Sequence, residues 1–183
     1  SVDEFFKVTS TLKEGKEISA KQWKDFDSSS CYKTYVKRKD KTGINTIKNS
    51  INIVFGNGKI AEKDSILNIT KEEMNRNPKM MFKKLILTNY LDINKNYESI
   101  KSFRENYDFN ALVEKAKQRL SSFLGITIDS TTKLKPVYFL FFIADGKNND
   151  DAIYVDLNLI YKKTEEQREN FLAHEYFHNY REM

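Results

Sequence analysis

The chain of 183 residues contains one cysteine, two prolines, six glycines and two histidines. A lone thiol, Cys31, cannot close an internal disulfide, so a disulfide scaffold is excluded; we read it as a small core residue or an idle thiol. So little Gly and Pro, in a chain that is 39% hydrophobic and 31% charged, excludes collagen-like repeats and intrinsic disorder. The longest apolar run, Val137 to Ala144, falls far short of the ~20 residues that cross a bilayer, and no membrane span is expected. Charge of one sign is not concentrated either. The net charge of +5 comes from 31 basic residues interleaved with 26 acidic ones. The densest basic run, Lys37, Arg38, Lys39 and Lys41, is interrupted by Asp40. A nucleic-acid binder gathers basic charge on one face, so nucleic acid is not an expected partner. No signal-peptide pattern is present, and the chain starts at Ser1 rather than Met. The expectation drawn from that start is a secreted or cell-envelope protein whose leader has been removed.

What the chain does have is core-forming mass, with thirteen Phe and ten Tyr. A chain this long buries about 70% of its unfolded surface, enough for one domain over 1–183 without metal or disulfides. Helical punctuation fills residues 1–125. Ser1 with Glu4, Ser19 with Gln22, and Thr70 with Glu73 have capping-box spacing; Pro78 suits the first turn of a helix through Tyr90. Ile44, Ile47, Ile51, Val54 and Phe55 keep helical spacing up to Gly56, which favours helix over a β-branched strand at 51–55. Residues 94–106 form a weaker helical candidate. Asp108 is placed to cap a helix carrying Phe109, Leu112, Val113, Ala116, Leu120, Phe123 and Leu124 on one face, and Gly125 ends it.

The texture changes over 126–183. Residues 136–143 are short, apolar and rich in strand formers, which predicts a buried strand. Residues 145–151 are polar and read as a hairpin turn; they lack the register of a calcium loop. Residues 152–161 alternate, with Ile153, Val155, Leu157 and Leu159 against Tyr154, Asp156 and Asn158. That predicts a half-buried strand antiparallel to its predecessor. Thr164 with Gln167 opens a final helix. The expected fold class is α+β: a mostly helical N-terminal part, a small antiparallel sheet, then one more helix.

That last helix carries His174-Glu175-Tyr176-Phe177-His178, an H-E-x-x-H motif. Histidines at i and i+4 stand one turn apart on the same side of a helix. Their ring nitrogens can meet one Zn²⁺ at ~2.0–2.1 Å. Glu175, a step round the helix, reaches a metal-bound water without ligating and suits the role of general base. These are the chain's only histidines. Two histidines placed at random fall four apart about 1% of the time, and with Glu next to the first about 0.1%, which outweighs a chance motif. The surrounding residues Phe171, Leu172, Ala173, Tyr176, Phe177 and Tyr180 predict a buried helix, and buried histidines need partners.

Strand, alternating strand and H-E-x-x-H helix in that order resemble the catalytic half of zincin metallopeptidases. The segment 172–179, preceded by Ile153-Tyr154-Val155-Asp156-Leu157, is similar to uncharacterised bacterial families of zinc-dependent peptidases. The resemblance implies that His174 and His178 are zinc ligands, that Glu175 is general base and acid, and that a peptide or protein is the substrate. It further implies that the strand 153–159 is an edge to which an extended substrate adds as a strand, with Tyr154 or Leu157 lining the groove. Tyr176 or Tyr180 is a candidate donor to an oxyanion.

The sequence departs from the pattern at the third ligand. Catalytic zinc takes three protein ligands and an open position. Arg181 stands where the extended motif H-E-x-x-H-x-x-G-x-x-H has Gly, and there is no third histidine. Glu182, two turns from His174, and Asp156 are weaker candidates. The expectation is that the third ligand lies beyond Met183, the chain being the N-terminal part of a longer peptidase. The alternative is a non-catalytic binding or scaffold domain that retains an incomplete site. Gly56-Asn57-Gly58-Lys59 lacks phosphate-loop spacing and reads as a tight turn.

Overall fold

A computed structural model describes residues 2–36, 41–57, 59–128, 132–149 and 151–181. The helical punctuation is realised in most places. The helices are α1 (Asp3–Lys13), α2 (Ala20–Ser28), α3 (Ser30–Val36), α4 (Lys41–Phe55), α5 (Ile60–Leu67), α6 (Lys71–Arg76), α7 (Pro78–Lys95), α8 (Tyr97–Asn106), α9 (Phe109–Leu124), α10 (Leu157–Tyr161) and α11 (Glu165–Arg181). Ser19 and Thr70 form reciprocal capping boxes with Gln22 and Glu73, Pro78 opens α7, and Asp108 accepts from the N–H of Ala111. Gly125 ends α9 at φ 65°, a left-handed geometry that suits Gly. Thr164 and Gln167 bond each other's backbone N–H at the start of α11. The box expected at Ser1 and most of the basic run at 37–41 lie outside the described residues, as does Gly58.

The strands differ from expectation. Strands β1 (Val137–Leu140), β2 (Gly146–Asn148) and β3 (Ile153–Asp156) form a sheet in the order β1-β3-β2. β3 pairs parallel with β1, Val137 opposite Ile153, and antiparallel with β2, Gly146 opposite Val155. The antiparallel hairpin predicted between 136–143 and 152–161 is therefore wrong. The supposed turn 145–151 contains β2, and the chain crosses over the end of β3 to reach it.

β3 is also central and buried throughout, not half-buried and not an edge. Its alternation points to two cores rather than to core and solvent. Ile153 and Val155 pack with Leu112, Ala116 and Leu120 of α9 and Leu172 and Tyr176 of α11. Tyr154 belongs to a second cluster with Phe5 of α1, Ile47 and Ile51 of α4, and Ile86 and Tyr90 of α7. Helices thus cover both faces of the sheet. The strand stops at Asp156, because Asp156 caps α10: its carboxylate accepts from the N–H groups of Asn158 (2.9 Å) and Leu159 (3.2 Å). Leu157 is consequently a core residue of α10, not a groove residue.

Asp156 does more than cap. It accepts from the N–H of Phe142 (2.7 Å) and from the amide of Asn89 (2.8 Å). Its own N–H donates to the carbonyl of Asp145 at 3.0 Å. The segment 141–145 is wrapped round this one carboxylate as it passes from β1 to β2. Ala144 is held at φ 54°, a left-handed conformation that costs a Cβ-bearing residue about 1–2 kcal/mol. The bonds that tie Phe142 and Asp145 to Asp156, on either side of Ala144, offset that strain.

Candidate metal centre

α11 presents three faces. Glu169, Leu172, Tyr176 and Asn179 are buried, Phe171 and Glu175 lie against the sheet edge, and His174 and His178 are exposed. The expectation that both histidines are buried is overturned. The apolar residues around them pack on either side of an open stripe rather than enclosing it. Tyr176 is buried in the cluster with α9, on a different face of α11 from the exposed histidines, and its role is packing.

The two rings converge. Their Nε2 atoms are 2.9 Å apart and the ring planes are nearly perpendicular, at 84°. Two nitrogens so placed can each lie ~2.0–2.1 Å from one ion with an angle of about 90° between them; a tetrahedral angle needs a separation of about 3.3 Å. Opening the rings by a few tenths of an ångström therefore reaches zinc geometry, and the donor set suits zinc. Neither ring is tied to a backbone carbonyl among the described residues.

Glu175 sits beside this pair and is only 9% exposed. Burial pushes its carboxyl above the ordinary range, opposed by the nearby charges of His174 and His178. No hydrogen bond to its carboxylate occurs among the described residues, so its oxygens are unclaimed by the fold. β2 covers one side. The amide of Asn148 donates to the carbonyl of Glu175 at 3.1 Å, and Gly146 lies directly against the carboxylate.

No group of three metal-binding side chains occurs among the described residues. Asp156, a weaker candidate for the third ligand, is fully buried and its oxygens are taken by backbone N–H groups and Asn89. Glu182 lies outside the described residues. Cys31 is buried in the second cluster, the one that holds Tyr154, and neither histidine belongs to that cluster.

Sequence reasoning missed β2 as a component of this site. The signal available was Gly146, a glycine inside a polar stretch that marks close backbone approach as well as a turn. No helix among the described residues is long and apolar enough to cross a membrane.

With this geometry in view, the chain can be placed among known families. The model of the family described as "Putative zinc dependent peptidase (DUF5700)" matches residues 23–183, and the chain belongs to that family. No curated protein and no solved structure gives a significant match.

Proposed function

We propose that the protein is a zinc-dependent peptidase in which His174 and His178 hold the ion through Nε2 and Glu175 acts as general base and acid. The observation that carries this reading is the 2.9 Å approach of the two Nε2 atoms on an exposed stripe beside a carboxylate that the fold leaves unbonded. The family supports zinc dependence and peptidase chemistry in general terms. When bound, zinc lowers the pKa of a coordinated water and polarises a carbonyl.

The chain's own residues supply the rest. The i and i+4 spacing on α11 sets both imidazoles at one point. Glu175, next to His174, takes a proton from a water placed there and returns it to the departing amine. Its partial burial raises its basicity. The sheet has two edge strands, β1 and β2; we assign pairing with an extended substrate to β2, the edge that lies against Glu175. A third donor comes from outside the described residues, as the geometry of catalytic zinc requires.

One observation favours a second reading, a binding or scaffold domain with an incomplete site: the lack of a third ligand among the described residues. Atomic emission and a peptide-cleavage assay separate the two. The proposal expects bound zinc that is lost in His174→Ala with the fold intact by circular dichroism. It also expects Glu175→Gln to keep zinc and cleave peptides about 10²–10⁴-fold more slowly. Unchanged cleavage by Glu175→Gln rules out the base, and a zinc-free, inactive wild type favours the scaffold.

A further inference from the structure

Gly146 is not held in the left-handed region that calls for glycine in turns, since the described glycines with positive φ are Gly15 and Gly125. Its lack of a side chain answers a different need. A Cβ at this position would lie 2.7 Å from Oε1 and 2.8 Å from the carboxyl carbon of Glu175, and 2.9 Å from Cζ of Phe171. Non-bonded carbon atoms settle at about 3.5–4.0 Å, so no side chain fits while Glu175 keeps its present position. The carboxylate fills the space that a side chain on Gly146 would occupy.

β2 is itself fixed along its length. Gly146 pairs with Val155 and Asn148 with Ile153 of β3. At one end the Asp145 carbonyl accepts from the N–H of Asp156 at 3.0 Å, and the side chain of Asp145 accepts from the N–H of Gly146 at 2.9 Å. At the other end Asn148 bridges α11 and the approach to β1: its amide donates to the Glu175 carbonyl, and its oxygen accepts from Nζ of Lys135 at 2.9 Å. The strand therefore grips both the backbone and the side chain of Glu175, although among the described residues no hydrogen bond holds the carboxylate.

We propose that Gly146 is a positioning residue: the bare backbone of β2 is a backstop that sets the direction of the Glu175 carboxylate, a job that any side chain at 146 would spoil. This rests on the reading of Glu175 as the general base, but the backstop can be tested without it. Glu175 ends in a flexible side chain, so an added methyl group is accommodated by swinging the carboxylate aside rather than by moving the strand. The effect of Gly146→Ala is then one of direction, with folding retained.

The test uses the metal-free chain with glutamate carboxyl carbons labelled for NMR. In Gly146→Ala the Glu175 carboxyl resonance moves while those of Glu165 and Glu166, at the far end of the same helix, stay. The zinc content equals that of the wild type, and cleavage by the zinc-loaded variant is about 100-fold below that of an active wild type, the scale of a 1 Å misplacement. A wild type that cleaves nothing sinks the peptidase reading, yet the resonance still decides the backstop. An unmoved Glu175 resonance overturns it. If Gly146→Ala folds poorly, the same change in a Phe171→Leu background, which removes the Cζ that the new methyl would also meet, decides instead, with and without Glu175→Ala. Folding restored by Glu175→Ala supports the contact, and equal loss of folding with and without it overturns it.

Discussion

Asp156 and Glu175 are both buried carboxylates on the C-terminal part of the chain, and the fold treats them in opposite ways. Asp156 is wholly buried and accepts from the backbone N–H groups of Phe142, Asn158 and Leu159 and from Asn89. Glu175 is almost as buried, yet no hydrogen bond reaches its carboxylate among the described residues, and two exposed imidazoles stand beside it. A carboxylate saturated with backbone donors is an architectural post. One left unsaturated next to two converging imidazoles is available for proton transfer. The lesson is that burial alone did not distinguish the roles; the count of donors did. The two are also linked, since Asp156 organises the crossing from β1 to β2, and β2 sets Glu175.

The comparison breaks first at Asp156. Replacing it with Ala strands several buried N–H donors, and urea unfolding should show a loss of about 3–5 kcal/mol. A loss below about 1 kcal/mol would show that the post is dispensable.

The next effect is a pH dependence. Burial pushes the Asp156 carboxyl up to about 6, against the pull of the N–H groups of Phe142, Leu159, Ala144 and Asn158. Its folded pKa exceeds the unfolded value, so the native state keeps its proton longer. The group's contribution to stability therefore falls as pH rises from about 4 to about 6, by up to about 3 kcal/mol. Asp156→Asn lacks this titration. Its stability deficit relative to wild type, measured by urea unfolding of the metal-free protein, should shrink across that window; a constant deficit contradicts the assignment.

At Glu175 the expected sign reverses. Glu175→Gln removes a desolvated charge that the fold does not bond, and should stabilise the metal-free protein by about 0.5–1 kcal/mol at neutral pH. Destabilisation of similar size would place Glu175 among the architectural groups.

A third carboxylate sharpens the scale from the smaller side. Glu169 on α11 accepts from Nε of Arg119 on α9 at 2.6 Å, with Lys115 nearby at 3.3 Å. The hydrogen bond from Arg119 holds its carboxyl below the usual range, opposed by partial burial. Its folded pKa is depressed, so its stabilisation is present above the ordinary glutamate pKa and fades as pH falls through the folded value. The pair is partly exposed, and Arg119→Ala should cost about 0.5–1 kcal/mol at neutral pH and less in acid, by thermal unfolding.

Much of this was legible in the residues. Capping boxes at Ser19 and Thr70, the Pro78 start and the Gly125 stop are local devices, complete within a few residues, and they form as read. The motif on α11 needed only helical periodicity to bring His174 and His178 together. The sheet was misread because its order depends on long-range packing. The alternation in 152–161 has the same appearance whether the second face meets water or a second core, and here Tyr154 belongs to the core that α1, α4 and α7 build. Asp156, polar in a strand pattern, looked outward for the same reason. The role of Gly146 could not be read at all without Glu175 placed against it.

The central claim is that one zinc ion sits between His174 and His178. Anomalous diffraction at the zinc edge, from crystals grown with one equivalent of zinc, tests it directly. The account predicts a peak ~2.0–2.1 Å from both Nε2 atoms. Zinc bound elsewhere with the two rings still hydrogen-bonded to each other, or no ordered zinc at all, would contradict it.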